Sequence, residues 1–420
     1  MNQDEVAINS HHEGPSKEKI PFFIFILVAL LIGAVCGHLW HEKLVSLPFT
    51  PDSLKWISDV ILRLLRLLAT PLIFSAVLAS ILTANITGKK AGRLMWLLMS
   101  NTVVAITIGL VVANLFQPGN HLSIPMEKNS APAKEPYNIW THLLDSIPAD
   151  FISPFQKNDI ISIILIAVSL GIAMRVLKTS KNDQIVKSIT AFEMGLNAIF
   201  QVSITVLKWI FKLVPLAVFA VVTRIVADKG IEQLLVMGYW VGSVVFALFL
   251  MALFYVLRMM ITARVSPLAF LKGSREAFAM AFGTASSAAT LPVTYKCAVE
   301  NLKVKHENAN MGIMVGGTFN HDGTALYEAM AALFIAQGLG MHLEFQQQLI
   351  IVLMAIIASV GAAGIPEAGL VTMIAVFKAV NLPTEFIPFL LTVDWFLDRC
   401  RTTINVMGDM ASTVILNSKD

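Results

Sequence analysis

Residues Ser359 to Gly369 read SVGAAGIPEAG, a stretch of small residues, a proline and a carboxylate that interrupts an apolar segment. A second interruption, GTASSAAT, runs from Gly283 to Thr290. Each is followed by a segment with polar groups at its middle. After the first-occurring break comes Asn320-His321-Asp322-Gly323-Thr324, and after the second the run Asp394 to Asp409. The chain order is therefore broken segment, polar helix, broken segment, polar helix. Irregular backbone at membrane depth strands N–H and C=O groups and is tolerated only where protein or a watery cavity surrounds it. A repeated pair of Gly/Pro-interrupted segments points to a solute site between inverted repeats. Two kinked spans without a function would not explain interruptions that are both long and paired.

Working outward, the 420 residues are 56% hydrophobic and only 14% charged, against about 25% charged in soluble domains. Pro21 to Trp40 (PFFIFILVALLIGAVCGHLW) is long enough to cross a bilayer as a helix, and Ile231 to Leu257 is a second such run. Spans are expected near 21–40, 54–84, 94–115, 153–175, 190–227 and 231–258. The second and fifth are long and carry Arg63, Arg66, Lys208 and Lys212, so they are expected to tilt or to let these side chains snorkel. Residues 1–20 mix Asp4, Glu5 and Glu13 with Lys17 and Lys19. That is too long and too acidic for a secretory n-region, so a cytoplasmic tail and a retained first span are expected.

Basic residues fall in alternate connections: Lys17 and Lys19; Lys89, Lys90 and Arg93; Arg175, Lys178, Lys181 and Lys187; Arg258 and Arg264. The positive-inside rule then places these connections and the N-terminus in the cytoplasm, and residues 116–148 in an external loop; the C-terminus is expected to be cytoplasmic as well. Asn85-Ile-Thr is a glycosylation pattern on the inner side, and the external side has none, which favours a bacterial-type cell membrane. Cys36, Cys297 and Cys400 lie in or beside apolar segments as packing residues, with neither disulfide nor metal-ligand spacing. A net charge of +3 needs no nucleic-acid partner to explain it.

The last helix reads VDWFLDRCRTTINVMGD from Val393 to Asp409. Asp398, Arg401, Thr402, Asn405 and Asp409 share one face at 3.6 residues per turn. An ionisable group at this depth costs roughly 2.5–3.5 kcal/mol on insertion scales, so such a stripe needs partners. An internal Asp398–Arg401 pair would account for two residues but not for the continuation through Asn405 and Asp409. The Arg401 fork can hold a carboxylate bidentately, Asp398 can accept an ammonium group, and Asn405 can donate to a second carboxylate. That array suits aspartate or glutamate. Ser286, Ser287 and Thr290 would add hydroxyls from the first interruption. Asp409 and Asp322 suit a small cation, aided by bared carbonyls and by Asn320, Thr318 and Thr324. Gly323 is expected to let its helix unwind. Glu328, one turn beyond Thr324, is a candidate to carry a proton.

At these residues the chain resembles the glutamate/aspartate:cation symporters, which include the excitatory amino acid transporters. The matching stretches are SSAATLP (Ser286 to Pro292), DGTALYEAMAALFIAQ (Asp322 to Gln337), GAAGIPEAGLVTM (Gly361 to Met373) and VDWFLDRCRTTINVMGD, with weaker similarity such as RLLRLLATPLIF (Arg63 to Phe74) along nearly the whole chain. The resemblance implies an all-α membrane protein of eight spans and two re-entrant hairpins built as inverted repeats. It implies scaffold and transport-domain helices over 21–115 and 149–258, with trimer contacts through spans two, four and five. A transport core is implied over 264–420: first hairpin about 266–298, seventh helix about 308–337, second hairpin about 344–378, eighth helix about 384–416. The core would move as a block in alternating access.

By position the resemblance implies that Arg401 and Thr324 hold the side-chain carboxylate and Asp398 the amine. Asn405 with Ser286 and Ser287 would hold the main-chain carboxylate, and Thr402, Ala363, Gly364 and Gly369 complete the substrate set. One cation set is Gly316, Asn320, Asn405 and Asp409. Another is Thr318, Ser359, Val360 and Ala362. A third is Asn101, Thr102, Asn320 and Asp322. No resident cofactor is implied; the cargo is Na+ and/or H+ with the substrate.

Departures from the family pattern are His321 where the motif has Met, and Leu98 where a Tyr is common. Because His titrates near neutral pH, a proton as one coupling ion stands beside an intact sodium site as a reading. Arg399 with Ala285, rather than an arginine at the hairpin tip, is the arrangement of the excitatory transporters and points to K+ countertransport. Glu367 has no assigned role. A C4-dicarboxylate symporter on the same fold would lack the amine-binding Asp398, and a neutral amino-acid exchanger would lose Arg401. A channel would need a continuous polar pore, whereas the polar groups cluster at mid-depth. An enzyme would need a nucleophile–base pair or metal cage, which the nine scattered His do not suggest.

Overall fold

Hydrocarbon forces each spanning element to satisfy its own backbone, and the computed structural model obeys this. It describes residues 22–44, 50–83, 88–122, 144, 147–361, 364 and 368–418. Among these, every regular element is helical. The expected cytoplasmic tail, most of the external loop, and Ala362, Ala363 and Glu367 lie outside the described residues.

Helices α1 (Phe22–His41), α2 (Lys55–Thr83), α3 (Gly88–Phe116), α4 (Ile160–Lys178), α5 (Asp183–Phe211), α6 (Val214–Lys229) and α7 (Gln233–Ala263) make up the first half. Six of these seven, all but α6, supply segments long and apolar enough to span a membrane. Several boundaries differ from expectation, among them the start of α5 at Asp183 rather than 190 and the end of α7 at Ala263 rather than 258. α3 starts six residues earlier, because Lys89, Lys90 and Arg93 extend the helix as a charged first turn rather than breaking it. α4 starts at Ile160, not 153: Asn158 adopts a left-handed conformation (φ 50°) that ends a short turn Ser153–Lys157, and the Asp159 side chain then caps the new helix. The fifth span is two helices, α5 and α6, because Pro215 has no N–H to continue the ladder and instead sits in the first turn of α6.

α1 lies along α6. The spacing Gly33-x-x-x-Gly37 permits it: a Cβ on Gly37 would stand 2.7 Å from the Thr223 carbonyl oxygen and 2.8 Å from Val226 Cβ. α2 packs on α4, α5 and α6, while α3 and α7 pack instead on the helices of the second half. Outward faces are apolar, with Leu31, Val35, Leu115, Phe249 and Ile261 all exposed, as lipid contact requires.

The second half holds α8 (Pro267–Thr284), α9 (Ser287–Lys296), α10 (His306–Phe319), α11 (Asp322–Gly338), α12 (Phe345–Gly361), α13 (Ala368–Ala379) and α14 (Ile387–Asn417). α8/α9 and α12/α13 are the two broken segments. At the first tip Ala285 is left-handed (φ 51°) and the Ser286 hydroxyl accepts from the Ala289 N–H at 3.1 Å, starting α9. At the second tip Gly364 takes the left-handed turn (φ 59°) that a Cβ would resist.

Candidate functional site

The polar stripe of α14 faces inward: Asp394, Asp398, Arg401, Thr402, Asn405 and Asp409 are all buried. Arg401 is fully enclosed. Its Nη2 donates to Asp398 Oδ1 at 2.8 Å and to Asp394 Oδ2 at 3.3 Å, and its Nη1 lies 3.1 Å from Asp394 Oδ1. The guanidinium also lies 4.1 Å from the Tyr327 ring centre, a cation–π contact. Nε makes no hydrogen bond, and Nη1 makes none of good geometry. Unmet donors on a buried arginine are costly, so the fork retains capacity for a further acceptor. The internal Asp398–Arg401 pair is thus formed, with Asp394 added to it.

Thr324 and Gly369 stand against this cluster. A Cβ on Gly369 would lie 3.0 Å from Thr324 Cγ2 and 3.6 Å from Arg401 Nη1. Asn405 Oδ1 accepts the Gly323 N–H at 2.8 Å, and its Nδ2 is 3.4 Å from the Thr324 hydroxyl, so Asn405 caps the start of α11 from a neighbouring helix. The two hairpin tips close on each other. Gly364 O accepts from the Ala288 N–H at 3.1 Å, from Ser286 Oγ at 2.9 Å and from Ser287 Oγ at 3.4 Å. Arg399 Nη1 donates to the carbonyls of Phe282 (2.9 Å) and Gly283 (2.6 Å), capping the end of α8 beside Ala285.

The unwound step in the seventh helix is Asn320–His321, between α10 and α11, directly before the Asp-Gly pair. Gly323 is helical and is required for another reason than unwinding. A Cβ there would meet the Arg401 carbonyl oxygen at 2.7 Å, so Gly323 lets α11 touch the α14 backbone at the site.

Of the cation sets, Gly316, Asn320, Asn405 and Asp409 come together. Asn320 Nδ2 donates to Asp409 Oδ1 at 2.9 Å and to Asn405 O at 3.2 Å, a side chain on Gly316 would collide with Asp409 Oδ1, and Asn320 Oδ1 is buried with no partner. An unpartnered buried oxygen beside a carboxylate suits a hard cation. In the second set, His321 Nδ1 lies 3.0 Å from Ser359 O. A carbonyl only accepts, so Nδ1 carries the hydrogen and already engages that oxygen; Thr318 is turned to the Met314 carbonyl. Of Val360 only the backbone is described. In the third set, Thr102 Oγ1 donates to Asp322 Oδ1 at 2.6 Å and Asn101 Nδ2 donates to Ser412 Oγ at 3.1 Å, but Asn101 Oδ1 accepts from Arg258. Glu328 is buried and accepts from the Thr372 hydroxyl, linking α11 to α13.

Asp394, Tyr327, Tyr255 and Arg258 belong to these clusters without having been singled out. Asp394 was legible as the stripe's next turn, four residues before Asp398. Tyr255 and Arg258 share one face of an otherwise apolar span. Arg258 is moreover not a loop charge: it lies within α7 and its guanidinium turns inward.

An ion-paired stripe buried between two re-entrant hairpins defines a multi-pass membrane carrier of charged solutes. The chain belongs to the sodium:dicarboxylate symporter family, whose model it matches over residues 22–419. It is 30% identical over 443 residues to excitatory amino acid transporter 2 of Rattus norvegicus, covering 90% of this chain and 75% of that protein. It is 31% identical over 450 residues to excitatory amino acid transporter 1 of Ambystoma tigrinum (92% and 81%). It is also 30% identical over 416 residues to a C4-dicarboxylate transport protein of Rhodospirillum rubrum (94% and 87%).

Proposed function

We propose that the protein is a secondary active symporter, not an enzyme, that imports L-glutamate or L-aspartate with Na+ and/or H+ by alternating access of its second half against a scaffold. The observation that carries this is the Arg401 cluster: one guanidinium with unmet donors, flanked by Asp398 and Asp394. Two carboxylates against one arginine leave an excess negative charge. An ammonium group on the solute offsets it while a solute carboxylate accepts from the unmet donors of Arg401, with Thr324, Thr402, Asn405, Ser286, Ser287, Gly364 and Gly369 around it.

C4-dicarboxylate transport is the second reading, favoured by the relative of that name. It would put two solute carboxylates beside Asp398 and Asp394 with Arg401 but no ammonium group to offset them. A homotrimer in the cell membrane, with cytoplasmic termini, is part of the proposal; the exposed apolar side chains Phe192, Met194 and Val202 of α5 are available to the subunit contact.

Uptake of labelled aspartate, glutamate and succinate into proteoliposomes tests it, with Na+, H+ and K+ gradients imposed one at a time. Concentrative uptake of the amino acids ahead of succinate supports the proposal. Succinate uptake with no amino-acid uptake overturns it.

A further inference from the structure

Arg258 is the cationic side chain that α7 turns into the bundle. Nη1 donates to Asn101 Oδ1 and, at 3.3 Å, to the Leu97 carbonyl, and Nη2 donates to the Ser100 hydroxyl at 2.8 Å. Its guanidinium carbon lies 5.7 Å from the Phe254 ring centre. One turn before Arg258, the Tyr255 hydroxyl donates to Asp322 Oδ2. One residue after Asn101, the Thr102 hydroxyl donates to Asp322 Oδ1. The guanidinium is therefore tied to the Asp322 carboxylate from both sides, through α7 and through α3. Asn101, Thr102, Tyr255 and Asp322 are all buried, and an ionised carboxylate in such a place requires a positive charge near it.

The donor census separates two neighbouring clusters. Around Asp322, both carboxylate oxygens and Asn101 Oδ1 already accept protein hydrogens, so among the amide and carboxylate oxygens of the set Asn101, Thr102, Asn320 and Asp322 the one left open is Asn320 Oδ1, which is shared with the neighbouring set. Around Asp409, Asn320 Oδ1 has no partner, so that set does fit one. The charges agree: Asp322 and Asp409 against Arg258 leave one negative charge to be met from solution.

We propose that Arg258 is a tethered cation. It supplies permanently, at the Asn101–Thr102–Asp322 cluster, a charge that a carrier lacking it must take from the medium, and it thereby lowers by one the cations moved with each solute. This rests on the carrier reading above.

The test compares wild type, Arg258→Met and Arg258→Lys as full-length purified protein, by two readouts. The first is the Na+ dependence of thermal stability in detergent, which needs no transport. The second is the zero-flux potential and Na+ dependence of aspartate uptake in proteoliposomes. Arg258→Met is expected to raise half-saturating Na+ for stabilisation by roughly tenfold or more, to move one additional positive charge per solute, and to be rescued by free guanidinium. Arg258→Lys is expected to keep the wild-type charge ratio. The proposal is overturned if folded Arg258→Met shows the wild-type Na+ dependence and charge ratio. It is equally overturned if the variant's defect is restored by neither guanidinium, Na+ nor lysine, since Arg258 would then only be packing. Should wild type move no amino acid at all, the carrier reading fails, while the thermal Na+ dependence still decides the fate of Arg258.

Discussion

Nη2 of Arg401 donates to Oδ1 of Asp398 at 2.8 Å across one turn of α14, within a cluster closed to solvent. Arg401→Ala would leave Asp394 and Asp398 buried without a counter-charge, a loss of about 3–5 kcal/mol for a broken buried pair. Uptake of acidic amino acids is expected to vanish and thermal stability to fall. Asp398→Asn keeps the shape and one hydrogen bond but loses the charge that faces an amine. It is expected to weaken aspartate far more than succinate in competition for uptake. Full aspartate transport by either variant would end the site assignment.

Glu328 bridges α11 and α13 through the Thr372 hydroxyl. If the carrier cycle requires this carboxyl in its protonated form, wild-type uptake declines as pH rises, because the proton is then harder to acquire. Glu328→Gln mimics the protonated form and is expected to flatten that decline, retaining exchange at alkaline pH. A pH–rate profile unchanged by the substitution removes Glu328 from the cycle.

His321→Met removes the N–H that engages the Ser359 carbonyl. The freed oxygen is expected to bind Na+ better, so half-saturating Na+ should drop and uptake driven by a pH gradient in Na+-free buffer should disappear. Strict Na+ dependence in wild type, kept unchanged in the variant, would show that His321 only packs there.

Gly37→Leu forces a side chain into the Thr223 carbonyl and Val226, both closer than 3 Å to the new Cβ. Separating α1 from α6 is expected to cost about 1–3 kcal/mol, as overpacking does, read as a lower melting temperature in detergent. The matching change at Gly92, which has open space around it, is the control and should leave the melting temperature in place.

The sequence by itself determined the class of this molecule. Apolar length, the paired interruptions at Gly283–Thr290 and Ser359–Gly369, and the 3.6-residue spacing of Asp398, Arg401, Asn405 and Asp409 are local properties, and helix geometry converts them directly into spans, hairpins and an inward stripe. It misplaced what depends on neighbours. The split of the fifth span was signalled by Pro215, but the reason for Gly323 was not, because the Arg401 backbone that demands it is far away in sequence. Tertiary structure alone decided which charges meet. Arg258 read as a loop residue, and only the packing of α7 on α3 brought its guanidinium to Asn101. Hydrogen-bond partners are set by distances between helices, and no periodicity within one helix encodes those.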